Sequence, residues 1–143
     1  MRDAARLAVL AACLATVPVL AGPLDALLGT GANTIPAPEQ VFRMRAVGGG
    51  QPRLELDIAP GYYLYRDTLR VTATDGGPVA LELPPGESVR DAHYGTVAVL
   101  RGRVPVPAAL PAPPASVTVD YQGCAQDRLC YAPARRTLTV DPA

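Results

Sequence analysis

Tryptophan and lysine are missing from this chain of 143 residues, and phenylalanine and histidine each occur once. All 13 basic residues are arginine, and 13 acids balance them. A formal charge of zero leaves no excess of one sign, so nothing argues for a face that binds nucleic acid or anionic lipid. The lack of lysine carries no functional reading. Cysteine is scarce, with three in all, and two of them, Cys124 and Cys130, stand six positions apart near the end of the chain. Such a pair lacks two of the four ligands of a structural zinc site, and only His93 and Met44 could assist a softer metal. A metal site is thus disfavoured, and no metal or cofactor is expected.

Long hydrophobic runs are confined to the start. Arg2 and Arg6 precede an apolar stretch from Leu7 to Leu20, broken by Pro18 and closed by Val19-Leu20-Ala21. The pattern is that of a secretory signal peptide over residues 1–21, cleaved near Ala21. About 14 apolar residues fall short of the roughly 20 that a spanning helix needs, which disfavours an uncleaved anchor. Leu10-Ala11-Ala12-Cys13 offers a weaker alternative, a lipid anchor on Cys13. On the signal-peptide reading Cys13 departs and the exported chain keeps an even pair, so a disulfide needs no outside partner.

From residue 22 on, about 120 residues remain, enough for one domain with one core. Residues 22–38 read as a flexible lead-in and 39–143 as the folded domain. The hydrophobic period there is two. Phe42, Met44 and Ala46 alternate with arginines, Leu54, Leu56 and Ile58 with acids, and Leu69, Val71 and Ala73 with Arg70 and Thr72. The same alternation runs through Val79, Leu81 and Leu83, then Val97 and Val99, Val117 to Tyr121, and Leu138 and Val140, which makes seven or eight short strands. Gly48-Gly49-Gly50, Pro60-Gly61, Asp75-Gly76-Gly77-Pro78 and Pro84-Pro85-Gly86 punctuate them, and the proline-rich stretch around 105–114 reads as a surface connection. With no amphipathic helix of useful length, the expected architecture is all-β, an immunoglobulin-like sandwich of two antiparallel sheets. It lacks the Cys-Trp-Cys spacing of antibody domains, and Cys124 and Cys130 are too close in sequence to span the core.

A disulfide closing a loop of about seven residues restrains the unfolded chain by only about 2.4 kcal/mol. That modest value suits a bond made and broken in use, although small structural loops of this size also occur. Spacing alone leaves a structural disulfide, a redox pair and a metal site open.

Three segments carry a resemblance. Tyr121-Gln122-Gly123-Cys124, then Cys130-Tyr131 and Pro133, resembles the active-site stretch of the periplasmic N-terminal domain of DsbD, the transmembrane thiol:disulfide interchange protein. Gly61-Tyr62-Tyr63-Leu64-Tyr65-Arg66 resembles a second segment of it. Asp91-Ala92-His93-Tyr94-Gly95 falls where that family carries its cap loop, two acids followed by phenylalanine, tyrosine and glycine. Their order and spacing agree over nearly the whole exported chain.

The resemblance implies an immunoglobulin-like redox domain whose two cysteines bridge neighbouring strands. Cys130 would form mixed disulfides with partners and Cys124 would resolve them. Tyr63 and Tyr65 would line the site, and Asp91 would hold the Cys130 proton until a partner docks, with His93, Tyr94 and Gly95 completing the cap. The expected donor is a thioredoxin-like domain, and the expected acceptor a periplasmic disulfide isomerase or a thioredoxin-like protein of cytochrome c maturation. As an enzyme it would be one component of a protein-disulfide reductase. Ala92 and His93 depart from the family cap, and His93 is expected to lie over the sulfurs and make exchange pH-sensitive. Because the family's domain is followed by membrane and thioredoxin-like modules, a stand-alone form is expected here, with a separate membrane reductase subunit or another donor. The rival readings are a non-catalytic protein-binding sandwich with a permanent disulfide, and a copper-handling domain using Cys124, Cys130 and His93.

Overall fold

The computed structural model describes residues 34–143. The leader, most of the lead-in and Cys13 lie outside the described residues. A single helical turn, α1 (Pro38–Val41), leads directly into the first strand. Twelve strands follow among the described residues: β1 (Phe42–Val47), β2 (Arg53–Ile58), β3 (Tyr62–Tyr65), β4 (Arg70–Ala73), β5 (Pro78–Val79), β6 (Glu87–Asp91), β7 (Gly95–Leu100), β8 (Arg103–Pro107), β9 (Ser116–Tyr121), β10 (Gly123–Ala125), β11 (Leu129–Cys130) and β12 (Ala134–Asp141).

They form two sheets. One has the order β5-β4-β9-β12-β1-β2-β8, the other β11-β10-β3-β7-β6. Pairing is antiparallel except between β1 and β12, which run parallel with Ala46 opposite Val140. The period of two decides what lies between the sheets. Phe42, Met44 and Ala46 of β1 and Leu54, Leu56 and Ile58 of β2 are buried together with Val117, Val119 and Tyr121 of β9. Leu64 and Leu100 from the smaller sheet join this same core. Burying such a face is the main favourable contribution to folding. The result is the immunoglobulin-like β-sandwich expected from the periodicity.

The strand count exceeds the expectation, because several strands carry no clean alternation. Residues 105–107, at the start of the stretch read as a surface connection, instead belong to strand β8, which pairs with β2. Pro105 and Pro107 are tolerated there because β8 is the last strand of its sheet, where a missing N–H breaks no ladder. Of the expected run Val79-Leu81-Leu83, only Pro78–Val79 is a strand, and Leu81 makes an isolated bridge to Ala108.

Candidate redox site on the smaller sheet

A turn places the first wall of the site. Tyr62 N–H donates to the Ala59 carbonyl at 3.1 Å across Pro60-Gly61, and Gly61 has φ +83°. Proline followed by a left-handed glycine is the signature of a type II turn. Strand β3 starts there, and its side chains alternate. Tyr62 turns toward the core, with its ring 5.9 Å from that of Phe42, while Tyr63 and Tyr65 share the other face with Cys124 and Val99. The period of two along the strand thus divides the three tyrosines between its faces.

Strand β10 pairs with β3 on one side and with β11 on the other. Cys124 stands opposite Tyr63 across one ladder and opposite Cys130 across the other, and the two cysteines are joined by a disulfide. The hairpin between them needs one left-handed residue, and Asp127 fills it with φ 57°. Aspartate enters that region more readily than most residues. Its part is to shape the loop, and Arg128 beside it is exposed. Cys124 is only 1% exposed, whereas Cys130 on the two-residue edge strand is open to solvent. One sulfur is thus accessible and the other sheltered.

The β6–β7 hairpin forms the cap. Asp91 pairs with Gly95, whose φ of +75° closes the three-residue turn. Asp91 Oδ1 accepts the N–H groups of His93 at 2.7 Å and Tyr94 at 3.0 Å, so the carboxylate shapes its own loop. Its other oxygen accepts the Tyr65 hydroxyl at 2.6 Å and, more weakly, that of Tyr63 at 3.4 Å. Tyr65 Oη also lies 3.1 Å from Cys124 Sγ and 3.3 Å from Cys130 Sγ. A disulfide sulfur carries no hydrogen, so the single phenolic proton goes to Asp91 and the oxygen's lone pairs face the sulfurs. Once the bond is reduced, a thiol proton has an acceptor ready in Tyr65 Oη.

These contacts set the ionisation of the site. The hydrogen bond from Tyr65, then the amide N–H of His93, hold the Asp91 carboxyl below the usual carboxylate range, against the cost of its burial. Burial first, then the hydrogen bond to Asp91, pushes Tyr65 well above an ordinary phenol, and burial raises Tyr63 as well. Both tyrosines stay protonated donors at neutral pH while Asp91 stays an anion. The Arg101 guanidinium sits 5.0 Å from the centre of the Tyr63 ring, a cation–π contact that supports this wall.

Of the residues expected at the site, Cys124, Cys130, Tyr63, Tyr65 and Asp91 come together directly. Tyr94 is 61% exposed, with its ring edge-on to Tyr65 at 5.5 Å. His93 is exposed beside it and lines, with Cys130, Asp91 and Arg128, a cleft of about 260 Å³. Met44 belongs to the core of the sandwich and not to this site. Arg66, immediately after β3, donates to the Pro84 carbonyl at 2.6 Å and ties the end of that strand to the loop before β6. Sequence reasoning passed over Arg101, because no local pattern ties an arginine on the β7–β8 turn to a tyrosine in β3.

A β-sandwich with a cross-strand disulfide, one sulfur exposed beneath a hairpin cap, is the architecture these observations define. The chain belongs to the family described as thiol:disulfide interchange protein DsbD, N-terminal, whose model matches residues 32–142. It is 40% identical over 92 residues to the thiol:disulfide interchange protein DsbD of Cronobacter sakazakii, a match that takes in 63% of this chain and 16% of the relative. The DsbD of Pectobacterium atrosepticum is 41% identical over 94 residues, with 64% of this chain and 16% of the relative covered. The chain thus spans about one sixth of the length of these curated relatives. Among solved structures, the reduced N-terminal domain of Neisseria meningitidis DsbD superposes with a TM-score of 0.62 at 26% identity, covering 78% of this chain and 94% of that one. The same organism's domain in complex with the PilB N-terminal domain gives a TM-score of 0.56 at 26% identity, over 76% and 88% of the two chains.

Proposed function

We propose that this domain is a thiol–disulfide exchange module that passes two electrons at a time between protein partners through Cys124 and Cys130. One observation carries the reading: Cys130 is exposed on an edge strand while its disulfide partner, Cys124, is buried. In the reduced domain the Cys130 thiolate attacks a partner disulfide, forming a mixed disulfide and freeing one partner thiolate. Cys124 then attacks Cys130 Sγ, which closes the intramolecular bond and releases the partner as a dithiol. A dithiol donor returns both electrons by the reverse route. Tyr65 and Asp91 hold the thiol proton in the resting site, and Tyr63, His93, Tyr94 and Gly95 complete the cleft and cap.

The donor is a thioredoxin-like domain, and the acceptor an oxidised periplasmic thioredoxin-like protein, such as a disulfide isomerase or a component of cytochrome c maturation. The Neisseria relative's complex with a PilB N-terminal domain supports a protein partner. The leader read from residues 1–21 supports a periplasmic location. Among the described residues no helix is long and apolar enough to cross a membrane.

The reduction potential of the pair tests the reading. A value of roughly −180 to −270 mV, in the thioredoxin and isomerase range, is expected, and one well below about −300 mV would mark a structural staple and defeat it. Cys124→Ala is expected to accumulate a partner mixed disulfide through Cys130, and Cys130→Ala to form none. Replacing His93 by Phe is expected to change the rate of partner exchange, and an unchanged rate would remove His93 from the mechanism.

A further inference from the structure

Reduction leaves two thiols on neighbouring strands, and a third metal-binding group stands beside them. A carboxylate oxygen of Asp91 and the sulfurs of Cys124 and Cys130 all lie within 4.8 Å of one another. Two sulfurs and a carboxylate oxygen are zinc donors, and three protein ligands with one open position is a recurrent zinc arrangement. Cu(I) is satisfied by soft sulfur and would gain little from the carboxylate. The carboxylate is already oriented, because Oδ1 takes two backbone N–H groups and Oδ2 takes the Tyr65 hydroxyl at 2.6 Å. A cation at Oδ2 would take the place of the weak hydrogen bond from the Tyr63 hydroxyl, which is 3.4 Å long. Donors that fix a ligating carboxylate in this way are the outer shell that tunes metal affinity. Water entering the cleft that Cys130 and Asp91 line could take the fourth position.

We propose that the reduced domain binds one Zn²⁺ through Cys124 Sγ, Cys130 Sγ and Asp91, so that metal and disulfide are alternative states of the same site. The inference rests on the exchange reading only in requiring that the pair be reducible. A dithiol reductant gives two electrons and two protons to the Cys124–Cys130 bond and itself becomes a disulfide. Zn²⁺ then displaces the two thiol protons to solvent. Bound zinc withholds the Cys130 thiolate from partners, so the metal acts as a brake on exchange that oxidation releases.

The test uses the full chain, reduced and freed of reductant under anaerobic conditions. Zn²⁺ is titrated against a chromophoric chelator, and Co²⁺ serves as a spectroscopic probe. The expected result is one Zn²⁺ retained by reduced protein and none by oxidised protein, with a sulfur-to-cobalt charge-transfer band. Tyr65→Phe should weaken binding about 10–100-fold, and Asp91→Asn at least as much, with both thiols still counted by alkylation. Absence of retained metal overturns the proposal, as does equal retention by oxidised protein or full affinity in both variants. Partner exchange measured in chelator reports on the relay alone. Its loss with zinc binding intact counts against the relay, and the converse counts against the metal site.

Discussion

Gly123, immediately before the buried cysteine, is where the core and the site meet most tightly. A Cβ built there would lie 2.8 Å from Phe42 Cε1 and 2.9 Å from Leu64 Cδ2, and would run into Phe42 Cζ as well. Neither neighbour has room to yield. Phe42 and Leu64 are fully buried, and the Phe42 ring is held edge-on by Tyr62, Tyr121 and Tyr131 at 5.7 to 5.9 Å. Overpacking of a core costs about 1–3 kcal/mol, and two immobile neighbours argue for the upper end. Replacing glycine also reduces the entropy of the unfolded chain, which offsets roughly 0.4–1 kcal/mol. Gly123→Ala should therefore lose about 2 kcal/mol, or roughly 8 °C of Tm at about 4 °C per kcal/mol. Thermal and denaturant unfolding of the oxidised protein, followed by far-ultraviolet circular dichroism, would measure the loss, and adding Phe42→Leu should recover part of it. Gly50→Ala is the control, since a Cβ there meets nothing within 4 Å, and it should be neutral or slightly stabilising. A Gly123→Ala protein that melts within about 2 °C of the parent would refute the claim that the Phe42 ring dictates glycine at this position.

Other perturbations give distinct signs. Tyr121 has a buried hydroxyl without a hydrogen-bond partner among the described residues, so Tyr121→Phe should raise stability by about 1 kcal/mol, read as a higher denaturation midpoint at unchanged slope. Reducing the Cys124–Cys130 bond should lower stability by about 2.4 kcal/mol on the chain-entropy model, and a much larger loss would mean that the bond organises the fold itself. The depressed Asp91 carboxyl contributes stability that is fully present above its unfolded pKa near 4 and is lost as pH falls through its lower folded value. Asp91→Asn should therefore remove part of the acid-induced loss below about pH 4, whereas an unaltered acid limb in urea titrations at several pH values would show that the carboxylate is not linked to folding.

Much of the sandwich is legible because burying one face imposes a period of two. Phe42-Met44-Ala46, Leu54-Leu56-Ile58 and Val117-Val119-Tyr121 alternate for that reason, and each is a strand in the fold. Where a strand lies at a sheet edge the signal fades. β6 (Glu87–Asp91) buries only Asp91, and β8 (Arg103–Pro107) carries two prolines, so neither alternates in a readable way. The parallel contact of β1 with β12 joins segments about a hundred residues apart, and no local pattern encodes it. The cysteine pair, the cap segment and the shared face of Tyr63 and Tyr65 are visible in the chain itself. Cys124 buried and Cys130 exposed is another matter, because it depends on β10 lying inside its sheet and β11 at the edge. The hydrogen bond from Tyr65 to Asp91, 26 positions away, likewise exists only once β3, β6 and β7 share a sheet. Residue type and spacing by themselves determined the fold class and the presence of two thiols that can meet. Which sulfur a partner can reach, and which carboxylate stands beside it, was decided by tertiary structure, because exposure and electrostatics depend on neighbours that are distant in the chain.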